Sequence, residues 1–145
     1  MTEKKLWGTL KDGLDHLGHL DRIESHATSQ GRPDVNYCFN GVQGDVELKI
    51  YDRKRGGFVL RATQNAWMCN RVRHGGTPWI LARYDDQFGK PEFLLIPGAK
   101  SRELIHDRSY ETWKAQSMIT WPGRIDFQEL LIALKGTGWG KASPK

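Results

Sequence analysis

The amino-acid sequence predicts an α/β protein in which helices flank a mixed β-sheet, with a C-terminal helical extension. An alternating pattern over residues 35–50 is typical of two antiparallel strands joined by a hairpin. A helical pattern over 62–74 precedes an apolar strand pattern over 77–84, and this strand–helix–strand order favours parallel pairing. A chain of 145 residues suits one domain, which we assign to residues 1–136, with a flexible basic tail over 137–145.

The first predicted element is a helix over residues 4–20. Its apolar stripe has steps of four, four and three residues and consists of Leu6, Leu10, Leu14 and Leu17. Residues 20–25 then form either a short strand or a last helical turn, and the pattern does not decide between the two.

The hairpin is the most informative part of the sequence. Its first strand alternates apolar and polar residues over 35–39, and Asn40-Gly41 favours a tight turn because both residues tolerate positive φ. In the second strand Val46, Leu48 and Ile50 alternate with Glu47 and Lys49, so the two charged side chains are expected on one face.

Asp34 stands at the start of the first strand, where antiparallel pairing would bring it close to Glu47. Two carboxylates with few other ligands suit Mg²⁺, which usually keeps several of its waters. The backbone carbonyl of Leu48 would add a third oxygen, and Lys49 could orient a water or neutralise phosphate charge. A surface hairpin with an ordinary Glu–Lys pair gives the same alternation.

Later elements are predicted from shorter patterns. Phe58–Leu60 is expected to be a short strand or an extended run, and residues 93–96 an edge strand. Residues 121–123 are expected to form a turn, and Asp126 to cap a final helix. Most of the tryptophans should be core residues, but Trp113 or Trp139 could stack on bases or build a dimer contact.

The net charge of +5 favours a polyanionic partner. Basic residues follow the Glu47–Lys49 strand closely, and they would meet a phosphate backbone that approached the carboxylates. A solvated basic surface is the alternative interpretation. The candidate DNA contacts are Arg32, Arg53, Lys54, Arg55, Arg61 and Arg71. No apolar run approaches a membrane span and no secretory signal is recognisable, so a cytoplasmic protein is expected.

The hairpin carries a motif of Pro33-Asp34, twelve residues, Glu47, one residue and Lys49. This pattern resembles the PD-(D/E)xK nuclease superfamily, in particular archaeal-type Holliday-junction resolvases and small phage-encoded endonucleases. The resemblance covers roughly residues 20–84 and includes Glu24 before the motif and Gln64 after it. It implies a restriction-endonuclease-like core in which Mg²⁺ or Mn²⁺ is held by Asp34, Glu47 and the Leu48 carbonyl.

Two further roles follow from the resemblance. Glu24 would complete the metal site or recruit a second ion, although an acidic residue at a protein surface is also unremarkable. Gln64 would hold the active-site Lys49 or a phosphate, although it could simply face solvent.

The resemblance implies a metal-dependent DNA endonuclease that acts on branched DNA, leaves a 5′-phosphate and works as a homodimer. If the protein is phage-encoded, its compartment would be the host cytoplasm. Two alternatives stay open at this point. One is a non-catalytic DNA-binding module on a nuclease fold, and the other is a nuclease for a different DNA or RNA structure.

Overall fold

The computed structural model describes residues 1–23 and 30–136. In this part of the chain, a six-stranded mixed sheet has the order β1-β2-β3-β4-β5-β6 and is flanked by helices. The strands are β1 (His19–Arg22), β2 (Val35–Phe39), β3 (Val42–Ile50), β4 (Pro78–Asp85), β5 (Pro91–Pro97) and β6 (Ile119–Pro122). The helices are α1 (Glu3–Leu14), α2 (Ala62–Arg73), α3 (Ser101–Leu104), α4 (Tyr110–Ala115) and α5 (Phe127–Lys135). The predicted α/β class is therefore confirmed.

The strand pairing follows from the lengths of the connections. Neighbouring strands are antiparallel except β3 and β4, which are parallel and joined through α2. The tight turn between β2 and β3 has φ of 51° at Asn40 and 84° at Gly41, which these residue types tolerate best. The predicted hairpin and the predicted parallel crossover are both confirmed.

Each face of the sheet packs against its own helices. One apolar cluster joins α1 and α5 to the sheet, and it includes Val46 and Leu48 of β3. A second cluster joins α2, α3 and α4 to the opposite face. Because side chains alternate along a strand, Glu47 and Lys49 point to the face covered by α2.

The predicted helix over residues 4–20 is wrong beyond its first three turns. α1 ends at Leu14, a 3₁₀ turn follows at Asp15–Leu17, and Leu17 is 39% exposed rather than part of the stripe. Gly18 is extended, and a Cβ atom there would lie 2.2 Å from the Phe39 ring. The chain turns at this point to enter β1, which pairs with β2.

Three later predictions also need correction. β5 is not an edge strand, because it lies between β4 and β6. Trp121 belongs to β6 and is buried, so the turn begins only after Pro122. Trp113 is fully buried and stacks on Phe58, which excludes it as a base-stacking surface residue.

Residues 58–60 belong to no helix or strand. Trp139 and the predicted tail lie outside the described residues, as does Glu24. None of the helices within 1–23 and 30–136 has the length and apolar character needed to cross a membrane.

Candidate active site

Four of the five predicted catalytic residues line one pocket of about 500 Å³. Asp34 reaches it from the start of β2, Glu47 and Lys49 from β3, and Gln64 from the first turn of α2. The pocket lies where β3 extends beyond the first residue of β2, since the pairing between the two strands stops at Val35 with Val46.

Asp34 is tied to β3 by its side chain. The backbone N–H of Leu48 donates to Asp34 Oδ2 at 3.0 Å. Leu48 lies two residues beyond the last pair between β2 and β3. Its N–H therefore bonds to the Asp34 side chain instead of to a backbone carbonyl of β2. The remaining carboxylate oxygen, Oδ1, is not used by this hydrogen bond and can take another partner.

The direction of the Leu48 carbonyl follows from the pairing of β3. Tyr51 donates its N–H to the carbonyl of Arg83, so odd-numbered residues at this end of β3 face β4. The N–H and C=O groups of one strand residue point to the same side, and those of the next residue point to the other. The Leu48 carbonyl therefore points to the side of Asp34, as a ligand role would require.

Glu47, Lys49 and Gln64 form a buried hydrogen-bonded network. Lys49 Nζ donates to Gln64 Oε1 at 2.9 Å, and Gln64 Nε2 donates to Glu47 Oε2 at 3.0 Å. Lys49 Nζ also lies 3.4 Å from Glu47 Oε2. Glu47 is 3% exposed and Lys49 6% exposed, so the interpretation as a surface Glu–Lys pair is wrong.

The environment of Glu47 disfavours its charged form. Burial raises the pKa of Glu47 well above its usual range, and the nearby charge of Asp34 raises it further, while Lys49 lowers it. Its Oε1 atom is buried and has no hydrogen-bond partner in the described part of the chain. A divalent cation would supply the missing partner and stabilise both carboxylates, so the donor set fits a metal ion.

Gln64 is held in place by the start of α2. Its Oε1 accepts a second hydrogen bond, from the backbone N–H of Arg61 at 2.9 Å, which helps to cap the helix. The loop before Asp34 packs closely here, since a Cβ atom on Gly31 would lie 2.1 Å from the carbonyl oxygen of Thr63. Gly31 also has φ of 81°, which favours glycine.

Glu3 is a further carboxylate of this pocket that the sequence prediction missed. It lies in the first turn of α1 and lines the pocket at its open rim, close enough to influence Glu47. Partial loss of hydration and then the charge of Asp34 raise the pKa of Glu3. The only sequence signal was an acidic residue after an N-cap threonine, which predicts a helix start and no site.

The predicted basic residues separate into three locations. Arg32 and Arg61 line the carboxylate pocket, and the Nε atom of Arg32 is buried with no hydrogen-bond partner among residues 1–23 and 30–136. Three others, Arg53, Lys54 and Arg55, line a neighbouring pocket of about 540 Å³. Arg71 lies away from both pockets, with its guanidinium 4.5 Å from the centroid of the Trp67 ring.

The carboxylates do not form a closed metal cage. Among residues 1–23 and 30–136, no three His, Cys, Asp or Glu side chains are grouped as a metal-binding cluster. Asp34, Glu47 and the Leu48 carbonyl instead offer a few oxygens on one side, an arrangement typical of Mg²⁺ that keeps several waters. No protein-family model and no curated protein matches this chain.

Proposed function

We propose that this protein is a metal-dependent nuclease that hydrolyses phosphodiester bonds in DNA, on a PD-(D/E)xK nuclease core. The observation that carries the proposal is the meeting of Asp34, Glu47 and Lys49 in one pocket, although the chain separates Asp34 from Glu47 by twelve residues. The motif's three charged residues are adjacent in space, and five of the six predicted basic contacts line this pocket or the neighbouring one.

The site residues have distinct roles in this proposal. Asp34, Glu47 and the Leu48 carbonyl would hold Mg²⁺ or Mn²⁺, which when bound polarises a phosphate oxygen and lowers the pKa of a water. Leu48 keeps Asp34 oriented through its N–H. Glu3 at the rim is suited to accept a hydrogen bond from a water or to support a second ion.

Lys49 provides the positive charge that a phosphoryl transition state needs. Its ammonium group is held by Gln64 and lies beside Glu47, so its position is set before substrate binds. It can donate to an attacking water or to a non-bridging phosphate oxygen. Gln64 acts through Lys49 and Glu47 and is a positioning residue.

The substrate is proposed to be branched DNA cut by a homodimer. This part of the proposal rests on the resemblance to the resolvase-like nucleases, and the basic side chains beside the site support a polyanionic substrate in general. Phosphate contacts of this kind give affinity without reading sequence.

The test is a gel assay on labelled linear duplex, single strand and four-way junction, in Mg²⁺, Mn²⁺ or EDTA. Wild-type protein is compared with Asp34→Ala and Glu47→Ala, with thermal unfolding as a check that each variant is folded. Metal-dependent cleavage that both variants lose supports the nuclease, and paired nicks across the junction support branched DNA as substrate. Binding without cleavage under every metal condition, unchanged in the variants, would leave a non-catalytic DNA-binding module.

A further inference from the structure

A second pocket adjoins the carboxylate pocket and has no role in the metal chemistry. It has a volume of about 540 Å³ and is lined along one side by Tyr51, Arg53, Lys54 and Arg55. Glu3, Lys49 and Arg61 line both pockets, so the two cavities meet at the ammonium group proposed to contact the scissile phosphate. A strand bound at Lys49 therefore has its neighbouring nucleotide at this second pocket.

The charges of the second pocket favour an anionic ligand. Three consecutive cations, Arg53, Lys54 and Arg55, form a 3₁₀ turn whose side chains are exposed. The acidic residue of this turn, Asp52, is already engaged, because it accepts from the Lys54 N–H at 3.0 Å and lies 3.8 Å from Arg55 Nε. The pocket thus presents positive charge toward solvent directly beside the pocket that Lys49 lines.

Arg53 is built as a flat stacking surface. Its guanidinium lies 5.4 Å from the centroid of the Tyr51 ring and 5.8 Å from that of Tyr84, and it donates to the Asp85 carbonyl at 2.6 Å. The two tyrosine rings are themselves in edge contact, with centroids 4.8 Å apart. An exposed planar guanidinium that is fixed in this way is a surface on which unstacked bases bind.

We propose that the second pocket receives one unpaired nucleotide next to the scissile phosphate, with its base against Arg53 and Tyr51 and its phosphate near Lys54 and Arg55. This inference rests on the proposed function and refines its substrate class. Bases inside a duplex are stacked and paired, so only a base that has left the stack can enter a concave pocket. The substrate class is then a nucleic acid with an unpaired nucleotide beside the cut.

The test measures binding in EDTA, where cleavage cannot contribute. The probes are duplexes of one sequence that are fully paired or that carry a single unpaired 2-aminopurine as a bulge, a 5′ overhang or a 3′ overhang. At least one unpaired probe should bind about 5-fold tighter or more than the paired duplex, and its 2-aminopurine fluorescence should fall as the base stacks. Equal binding of all the probes with unchanged fluorescence would overturn the proposal.

Variants separate this pocket from general attraction to phosphate. Arg53→Ala and Tyr51→Leu should lose both the preference and the fluorescence change, whereas Arg102→Ala, which removes an exposed arginine outside both pockets, should keep them. Tyr51 packs against Phe58, so its variant is checked by thermal unfolding, and exposed Arg53 provides the variant that leaves the core intact. A preference that survives Arg53→Ala in a folded protein would contradict the assignment.

Cleavage in Mg²⁺ is measured separately on the same probes. If the protein binds the unpaired probe selectively but cuts neither these probes nor the four-way junction, the nuclease proposal fails while the nucleotide pocket stands. If it cuts paired and unpaired duplexes equally and binds them equally, the nuclease stands and the pocket proposal fails.

Discussion

Leu48 donates its backbone N–H to Oδ2 of Asp34 at 3.0 Å, and this hydrogen bond joins two residues that are fourteen positions apart in the chain. It holds one carboxylate oxygen and leaves the other available. It also comes from the same residue whose carbonyl points toward Asp34. One short segment of β3 therefore orients the carboxylate and offers its own oxygen beside it.

Replacement of Asp34 by Asn should separate orientation from charge. The amide oxygen of Asn can still accept from Leu48, so we expect the thermal midpoint to stay close to that of wild type. Metal-dependent cleavage should fall by more than the ~10–100-fold that loss of an outer hydrogen-bond partner costs a metal site. Cleavage rates at several Mg²⁺ concentrations measure this.

Asp12→Asn is the matched control, because Asp12 is exposed on α1 and its substitution removes the same charge at a position away from the site. It should cleave like wild type. If Asp34→Asn cleaved DNA at the wild-type rate at every Mg²⁺ concentration, Asp34 would not be a metal ligand.

Gln64→Ala should affect both stability and activity. It removes the acceptor for Lys49 and for the Arg61 N–H and the donor to Glu47, so buried polar groups lose their partners. We expect a loss of ~1–3 kcal/mol in the free energy of unfolding, measured by urea denaturation. Cleavage should fall as well, because Lys49 is no longer held.

Gln128→Ala serves as the comparison for Gln64, since Gln128 is exposed near the start of α5. Its unfolding free energy and its cleavage rate should both match wild type. If Gln64→Ala were as stable as Gln128→Ala, the network around Gln64 would not contribute to folding.

Much of the fold near the site could be predicted because the signals there are local. Alternation in 35–50, a turn dipeptide and the helix pattern over 62–74 each depend on neighbouring residues, and the structure has all three elements. The end of α1 was missed because its cause is not local. Position 18 has no room for a side chain next to the Phe39 ring, and this closeness exists only when β1 pairs with β2.

The site shows the same division between local and distant information. The motif predicted that Asp34, Glu47 and Lys49 would be neighbours, since all three lie on one hairpin. Burial of Glu47 and Lys49 could not be read from alternation, which is the same for a strand that faces water and a strand that α2 covers. Glu3 joins the pocket through the packing of α1 on the sheet, and no spacing rule reports that.

The raised pKa of Glu47 predicts that stability falls with rising pH when no metal is present. Burial and then the charge of Asp34 favour the protonated form in the folded state, so the folded state binds more protons than the unfolded state. The stabilisation is complete below the ordinary carboxyl pKa and is lost as the pH rises through the raised value. Urea unfolding in EDTA at pH 5 and pH 8 measures this loss.

Glu47→Gln mimics the protonated side chain and should show a smaller loss between the two pH values. At pH 8, added Mg²⁺ should raise the free energy of unfolding of the wild-type protein, because a bound cation stabilises the ionised carboxylate. It should have less effect on Glu47→Gln. The same pH dependence in both proteins would assign it to other groups.

Two glycine substitutions test the account of the first helix. Gly18→Ala should cost ~1–3 kcal/mol, because the new Cβ atom meets the Phe39 ring at 2.2 Å and the Cys38 carbonyl oxygen at 2.6 Å. Gly8→Ala lies inside α1 with no atom within 4 Å of the new Cβ, so it should gain ~0.5–1 kcal/mol. Urea denaturation of both variants gives the comparison, and equal effects would contradict it.

Glu3→Gln tests whether the carboxylate that the structure adds to the pocket takes part in metal binding. Burial and then the charge of Asp34 raise the pKa of Glu3, although Lys49 lowers it, so a bound divalent cation would relieve repulsion among the carboxylates of this pocket. We expect the Mg²⁺ concentration for half-maximal cleavage to rise.

Glu103→Gln, an exposed change on α3, is the matched control. Glu24→Gln, run beside them, tests the acidic residue that the sequence motif indicated: a rise for Glu24→Gln and none for Glu3→Gln would return the role to Glu24.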